Sequence, residues 1–104
     1  MRKTSFQIVM GNSPRMKVID FLIENDRTSW DLSELRQSKI GYSTLKKLMP
    51  QLLKLKLVYI EKEVGKMKFY KINNNSTIIN KLYALYNEIN NELVKEKIGG
   101  HLSK

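Results

Sequence analysis

Residues 57–63 and 67–72 are rich in β-branched and aromatic side chains, and the connection between them, Val64-Gly65-Lys66, is short and carries a glycine. The pattern predicts a β-hairpin. Around it the chain is patterned as helix, apart from a brief extended segment at Trp30, so the predicted order is helix, short strand, helix, helix, hairpin, helix. At 104 residues the chain is long enough for one domain with a modest core and too short for two. The expected fold is therefore α+β, mostly α, in a single domain over residues 1–104.

The helix boundaries follow from local chemistry. Ser13-Pro14 starts the first, predicted over 14–25. Ser13 can cap, and Pro14 suits the first helical position because its missing N–H would be unpaired there anyway. Val18, Ile19, Leu22 and Ile23 recur at helical spacing, Phe21 widens the apolar side, and Asn25-Asp26-Arg27 ends the run. Trp30 is read as packing in the core or at a hinge. Asp31 and Glu34 make a capping box for a short second helix, 32–38, which offers Leu32 and Leu35 to the core. Ser38-Lys39-Ile40-Gly41 makes a tight turn with Ile40 as its buried plug. A third helix, 42–56, carries Leu45, Leu48, Met49, Leu52 and Leu55 on its core side. Pro50 lies inside it, deletes the hydrogen bond to the Lys46 carbonyl, and predicts a kink or a break into two pieces. After the hairpin, Asn73-Asn74-Asn75 is a polar break. Ser76 can cap a last helix over 77–98 and Gly99 can end it, which leaves 99–104 as a flexible tail. Residues 1–12 hold Phe6, Ile8, Val9 and Met10, and a short helix and an extended arm both fit them.

Charge is concentrated where the hairpin and the helix before it lie. From 36 to 71 there are ten basic residues against Glu61 and Glu63, a balance of +8 in a chain whose formal net charge is +9. A helix that can enter a groove, followed by a lysine-bearing hairpin, is the outline of a winged-helix DNA reader. Duplex DNA presents dense phosphate charge, and lysines that neutralise it release counterions. A helix-turn-helix places its second helix in the major groove with its N-terminal residues at base edges. Here that helix opens with Tyr42-Ser43-Thr44 and continues with Lys46-Lys47. Ser43, Lys46 and Lys47 are the expected groove contacts. Thr44 lies closer to the core side and is expected to bond a phosphate. Tyr42 could meet a base edge or a thymine methyl, or cover the turn. Arg36 and Lys39, beside the turn, are expected at flanking phosphates. Lys62, Lys66 and Lys68, around the hairpin tip, are expected along the adjacent backbone or minor groove. No arginine lies in the reading helix, so strong G·C readout is not expected. The last helix carries Ile78, Leu82, Leu85, Ile89 and Leu93 at spacings of four and three. This stripe is longer than a small core needs and is expected to pair two copies as a homodimer, setting two reading helices about one DNA turn apart.

Other chemistries find little support in the sequence. There is no cysteine, hence no disulfide framework and no thiolate chemistry. The one histidine, His101, follows Gly99-Gly100 near a polar end, so a zinc or iron site within the chain is not expected. The five glycines are scattered and form no phosphate loop. The carboxylates lie mostly at helix starts or among lysines, and no catalytic pair stands out. The chain is thus read as non-enzymatic, with no cofactor and no metal. No apolar run approaches the ~18–20 residues that span a bilayer. The opening MRKTSFQIVMGNSP lacks the apolar length and cleavage site of a signal peptide. The expectation is a complete, cytoplasmic chain with no membrane partner.

The runs GNSPRMKVIDFLIEN, IGYSTLKKLMPQLLKLKLV with its internal proline, and EKEVGKMKFYKIN resemble the small archaeal winged-helix transcriptional regulators. These belong to the broad superfamily that includes MarR-, ArsR- and PadR-type repressors. The resemblance covers about residues 10–85. It implies a winged-helix fold, dimerisation through terminal helices and binding of double-stranded DNA, with the reading-helix role on 42–47 and the wing role on 62–68. The chain departs from the pattern in a turn about one residue shorter than expected. It also lacks the Cys and His ligands of an ArsR-type metal sensor and the cysteine of a MarR-type redox sensor, so the resemblance implies no effector. The leading expectation is a homodimeric transcriptional regulator on a palindromic duplex site. Two other readings stay open: an architectural or partition protein that coats DNA with little preference, and a winged-helix adaptor whose basic face meets an acidic protein.

Overall fold

The computed structural model describes residues 5–103, and the side-chain surroundings of 6–92. Five α-helices and one antiparallel hairpin follow in the order α1 (Ser5–Met10), α2 (Pro14–Glu24), α3 (Leu32–Leu35), α4 (Tyr42–Lys54), β1 (Val58–Val64), β2 (Met67–Ile72) and α5 (Thr77–Ser103). The chain is α+β, mostly helical.

Caps fix most of these boundaries. Ser13 Oγ accepts from the Met16 N–H at 3.3 Å, with Pro14 in the first turn of α2. Asp31 Oδ1 accepts from the Glu34 N–H at 2.8 Å, and Glu34 Oε1 accepts from the Asp31 N–H at 3.0 Å. Two otherwise orphaned donors are satisfied reciprocally, as the sequence pattern requires. α3 tightens into a 3-10 turn, Arg36–Ser38. Lys39 then adopts a left-handed φ of 72° and swings the chain so that Ile40 is buried as the plug. Ser76 Oγ caps α5 by accepting from the Ile79 N–H at 3.2 Å.

The core lies between α2, α4, the hairpin and the first half of α5, and is filled by side chains such as Leu22, Leu45, Met49, Leu52, Ile72 and Ile79. Trp30 closes one side of it. Its N–H and carbonyl both bond Tyr70 at 2.8 Å, a single bridge that adds a short third segment to the hairpin. Its ring meets Phe21 edge-on, with centroids 5.1 Å apart, and its Nε1 donates to the Asn25 carbonyl at 3.1 Å.

Several expectations change. α4 runs unbroken through Pro50. The missing bond and ring clash cost about 3 kcal/mol. The four side chains that α4 buries on one face, Leu45, Leu48, Met49 and Leu52, contribute about 1.5–3 kcal/mol each, which is enough to hold both turns in one helix. α4 also ends at Lys54 rather than at 56. Lys56 is left-handed at φ 60°. The Leu57 N–H bonds the Leu52 carbonyl at 3.0 Å and the Lys56 N–H bonds that of Leu53 at 2.9 Å, which is the Schellman arrangement. Leu57 therefore takes the core position expected of Leu55, and Leu55 is left 52% exposed.

The hairpin turn has two residues, not three. Val64 pairs directly with Met67, and Gly65 supplies the positive φ of 61° that the first turn position needs. The register shifts between Ile60 and Lys62. Residues 5–10 form α1, where Phe6 is fully buried with its ring 5.5 Å from that of Tyr86. Gln7 Nε2 donates to Asp20 Oδ2 at 2.9 Å, so α1 is held against both α5 and α2. α5 passes through Gly99 and Gly100 to Ser103. A glycine stops a helix only where the chain turns left-handed, and inside a helix each costs about 1 kcal/mol. Lys104 lies outside the described residues.

The face of α5 that meets the body is rotated from the expected stripe. Ile79 is buried, with Leu82, Tyr83 and Tyr86 packed against the core. The Tyr83 hydroxyl donates to the Asp26 carboxylate, and the Tyr86 hydroxyl donates to Glu24 Oε1 at 2.6 Å. Ile89 is 6% exposed, whereas Ile78 is 58% and Leu85 38% exposed. The surroundings of Leu93 lie outside those described. Among the described residues no helix is long and apolar enough to cross a membrane.

Candidate nucleic-acid interface

α3, the turn at 39–41 and the start of α4 present one side of the candidate site. Tyr42, Ser43, Thr44, Lys46 and Lys47 are all exposed. Thr44 does not turn toward the core as expected, because Leu45 and Leu48 occupy that side and each helical step rotates the side chain by about 100°. Gly41 precedes the helix and makes no side-chain cap bond. The first amides of α4 thus keep their partial positive charge without a side-chain acceptor. Arg36 in the 3-10 turn and Lys39 in the left-handed position are exposed beside them.

The hairpin supplies the other side, and strand alternation decides which lysines it contributes. Tyr70 and Ile72 are buried, so their face of β2 turns toward the helices and carries Lys68 with it. Lys68 and Lys66 meet Tyr42 and Lys46 around a cleft of about 380 Å³, lined also by Asp31, Leu32, Ser33, Pro50, Met67 and Tyr70. Burial first, and then Glu63 and Tyr42, push the Tyr70 phenol above its ordinary value, so it keeps its proton as a donor.

Of the expected contacts, Lys62, Ser43 and Lys47 stand apart from this cleft, as does Lys71, which was not among them. Lys62 lies on the opposite face of the hairpin, its Nζ 4.9 Å from the centre of the Phe69 ring. Lys71 is bonded to Glu61 Oε2 at 3.3 Å. The Ser29 hydroxyl and then the Lys71 ammonium hold the Glu61 carboxyl below its ordinary value. Ser43 and Lys47, one turn apart, are exposed outside the cleft. Ser33, Met67 and Tyr70 line it and were not among the expected contacts. Alternation along β2, counted back from the core residue Ile72, is the signal that would have found Tyr70 and put Lys68 on its face. Among the described residues no group of His, Cys, Asp or Glu could hold a metal ion.

No protein-family model and no curated protein sequence matches the chain. Among solved structures, the fold is similar to that in the crystal structure of M. tuberculosis Rv0081, with a TM-score of 0.57 and 14% sequence identity over 93% of this chain and 99% of that one. At that identity the likeness concerns the fold alone.

Proposed function

We propose that this protein is a winged-helix transcriptional regulator that binds duplex DNA as a homodimer. In this reading α3, the turn and α4 act as the helix-turn-helix, and β1–β2 act as the wing. The observation that carries it is the side-by-side presentation of cations and hydroxyls by two elements: the exposed first turns of α4 and the lysine-bearing face of the hairpin, around one cleft. A helix entering a major groove leads with its N-terminal residues. Here those residues are Tyr42, Ser43 and Thr44, followed by Lys46 and Lys47, and all five are exposed among the described residues.

The homodimer rests on α5. At 27 residues it is about 40 Å long and exposes Ile78 and Leu85. Leu82 and Ile89 are already covered within one chain, so a partner helix would meet Ile78 and Leu85 instead. The test is duplex binding by Lys46→Ala and Lys47→Ala followed by fluorescence anisotropy. Each lysine that touches a phosphate should reduce the salt slope by about 0.9 when removed. Unchanged affinity and slope in the double variant would refute the assignment of α4.

A further inference from the structure

We propose that the cleft between α4 and the hairpin binds one sugar-phosphate unit, with Lys46 from the helix and Lys66 and Lys68 from the hairpin around its phosphate. The proposal deepens the DNA-binding reading and rests on it for the source of that unit.

Lysines from two separate elements line a single concavity of about 380 Å³, near the lower end of the range for ligand sites, about 300–1,000 Å³. Among the described residues none of the three has a carboxylate within ion-pair distance. Asp31 is the one carboxylate lining the cleft. It is buried, and its Oδ1 already accepts from Ser33 Oγ and the Glu34 N–H, both at 2.8 Å. The three ammonium groups outnumber the carboxylates of Asp31 and of Glu63, the cross-strand partner of Lys68, and the positive balance concentrates potential in the concavity. The uncapped start of α4 adds to it with the same sign.

The remaining lining decides the class of anion. Leu32, Pro50 and Met67 give the cleft an apolar side, which a bare inorganic anion would leave unfilled and the carbons of a deoxyribose can cover. Tyr42 and Tyr70 also line the cleft, and a phenol hydroxyl can donate to a phosphate or sugar oxygen. A sugar-phosphate could come from a duplex backbone or from a free nucleotide.

Two arms separate these sources. In the first, the full chain is titrated by ¹⁵N NMR with thymidine 5′-monophosphate and, separately, with thymidine. The monophosphate should shift the amides of Tyr42, Lys46, Lys66 and Lys68 saturably and thymidine should not. Lys46→Gln and Lys68→Gln should each weaken binding about tenfold, as expected for loss of a hydrogen bond to a charged group. Both side chains are exposed, so the rest of the spectrum should stay in place. In the second arm, a neutral methylphosphonate is walked through a bound duplex. One position should cancel the affinity cost of Lys46→Gln and Lys68→Gln alike, while Lys62→Gln, on the opposite face, keeps its own cost.

Coupling of both lysines to one duplex position supports the proposal with DNA as the source. Saturable shifts from the monophosphate without duplex binding support it with a free nucleotide as the source and refute the DNA reading. Duplex binding in which the two lysines couple to different phosphates, with no shifts from the monophosphate, overturns the cleft and leaves the DNA reading intact. Absence of binding in both arms overturns both.

Discussion

Among the described residues, Lys39 and Lys56 are the two non-glycine residues with left-handed backbone, at φ 72° and 60°. Replacing each by glycine separates what the position needs for folding from what the charge does for binding. That conformation costs an L-residue about 1–2 kcal/mol, and the freedom glycine adds to the unfolded chain offsets about 0.5–1 kcal/mol of the relief. Each substitution should therefore stabilise the fold by about 0.5–1 kcal/mol, or raise the melting midpoint by about 2–8 °C in a domain of this size. The bonds from the Lys39 N–H to the Arg36 carbonyl and from the Lys56 N–H to the Leu53 carbonyl, both 2.9 Å, survive, and both side chains are exposed. Binding should respond differently at the two sites. Lys39 stands beside the start of α4. Lys56 lies beyond its far end, about 20 Å away along a 13-residue helix. Loss of one phosphate contact lowers affinity by about eightfold at 0.1 M salt and makes the slope shallower by about 0.9. Lys39→Gly should show both effects, and Lys56→Gly neither. Urea denaturation and anisotropy at three salt concentrations measure the two quantities. A less stable Lys39→Gly would refute the backbone reasoning. A more stable Lys39→Gly that binds as tightly as the parent would remove Lys39 from the DNA contacts.

Asp31→Ala removes the acceptor of the Glu34 N–H and of Ser33 Oγ while the backbone N–H of residue 31 can still donate to Glu34 Oε1, and should cost about 1–2 kcal/mol by urea denaturation; a change within about 0.5 kcal/mol would show that this cap contributes little. Burial first, and then the Asp26 and Glu24 carboxylates, raise the phenols of Tyr83 and Tyr86 well above the ordinary value near 10. Folding therefore favours the protonated form. That stability is fully present below pH 10 and is lost as pH rises beyond it. The double variant Tyr83→Phe, Tyr86→Phe should flatten the fall in urea midpoint between pH 9 and 11, and an equal fall in both proteins would contradict the coupling. Leu85→Asp places a charge on the exposed side of α5. It should leave chain stability within about 0.5 kcal/mol while shifting sedimentation toward the monomer; an unaltered dimer would move the interface elsewhere.

Where a local signal had one interpretation, the sequence was sufficient. Ser13-Pro14 and the Asp31 and Glu34 pair each prescribe a single geometry, and each is found; the glycine between the two β-rich runs marks the hairpin but not its turn length, which is two residues. Trp30, expected in core or hinge packing, is half-buried against the core and extended through its bridge to Tyr70. The failures occur where two arrangements share one pattern. Ile78 and Ile79 are adjacent and both apolar, so α5 could be phased on either. The phase that wins is the one that also brings Tyr83 to Asp26 and Tyr86 to Glu24, partners on α2 or just beyond it that spacing along α5 cannot reveal. The end of α4 was missed because a lysine, not a glycine, occupies the left-handed position. At Gly99 the opposite error arises, since the residue permits a stop without imposing one. α1 spans fewer than two turns, too little for periodicity to show, and is fixed by Phe6 reaching Tyr86. In the candidate site, the exposure of Ser43, Lys46 and Lys47 on α4 is legible from helical spacing, whereas Thr44, expected nearer the core side, is exposed. The convergence of Lys66 and Lys68 with Lys46 was not, because it depends on how the hairpin is rotated against the helix.

The central claim is most directly tested by fluorescence anisotropy of a mixed-sequence duplex titrated with the full chain at several salt concentrations. Binding should weaken linearly in log salt by about 0.9 per phosphate neutralised, with a slope of roughly −4 or steeper if lysines of both α4 and the hairpin engage in each copy of a dimer. No binding at roughly 50 mM salt, or binding indifferent to salt, would contradict a DNA-facing role for the basic face.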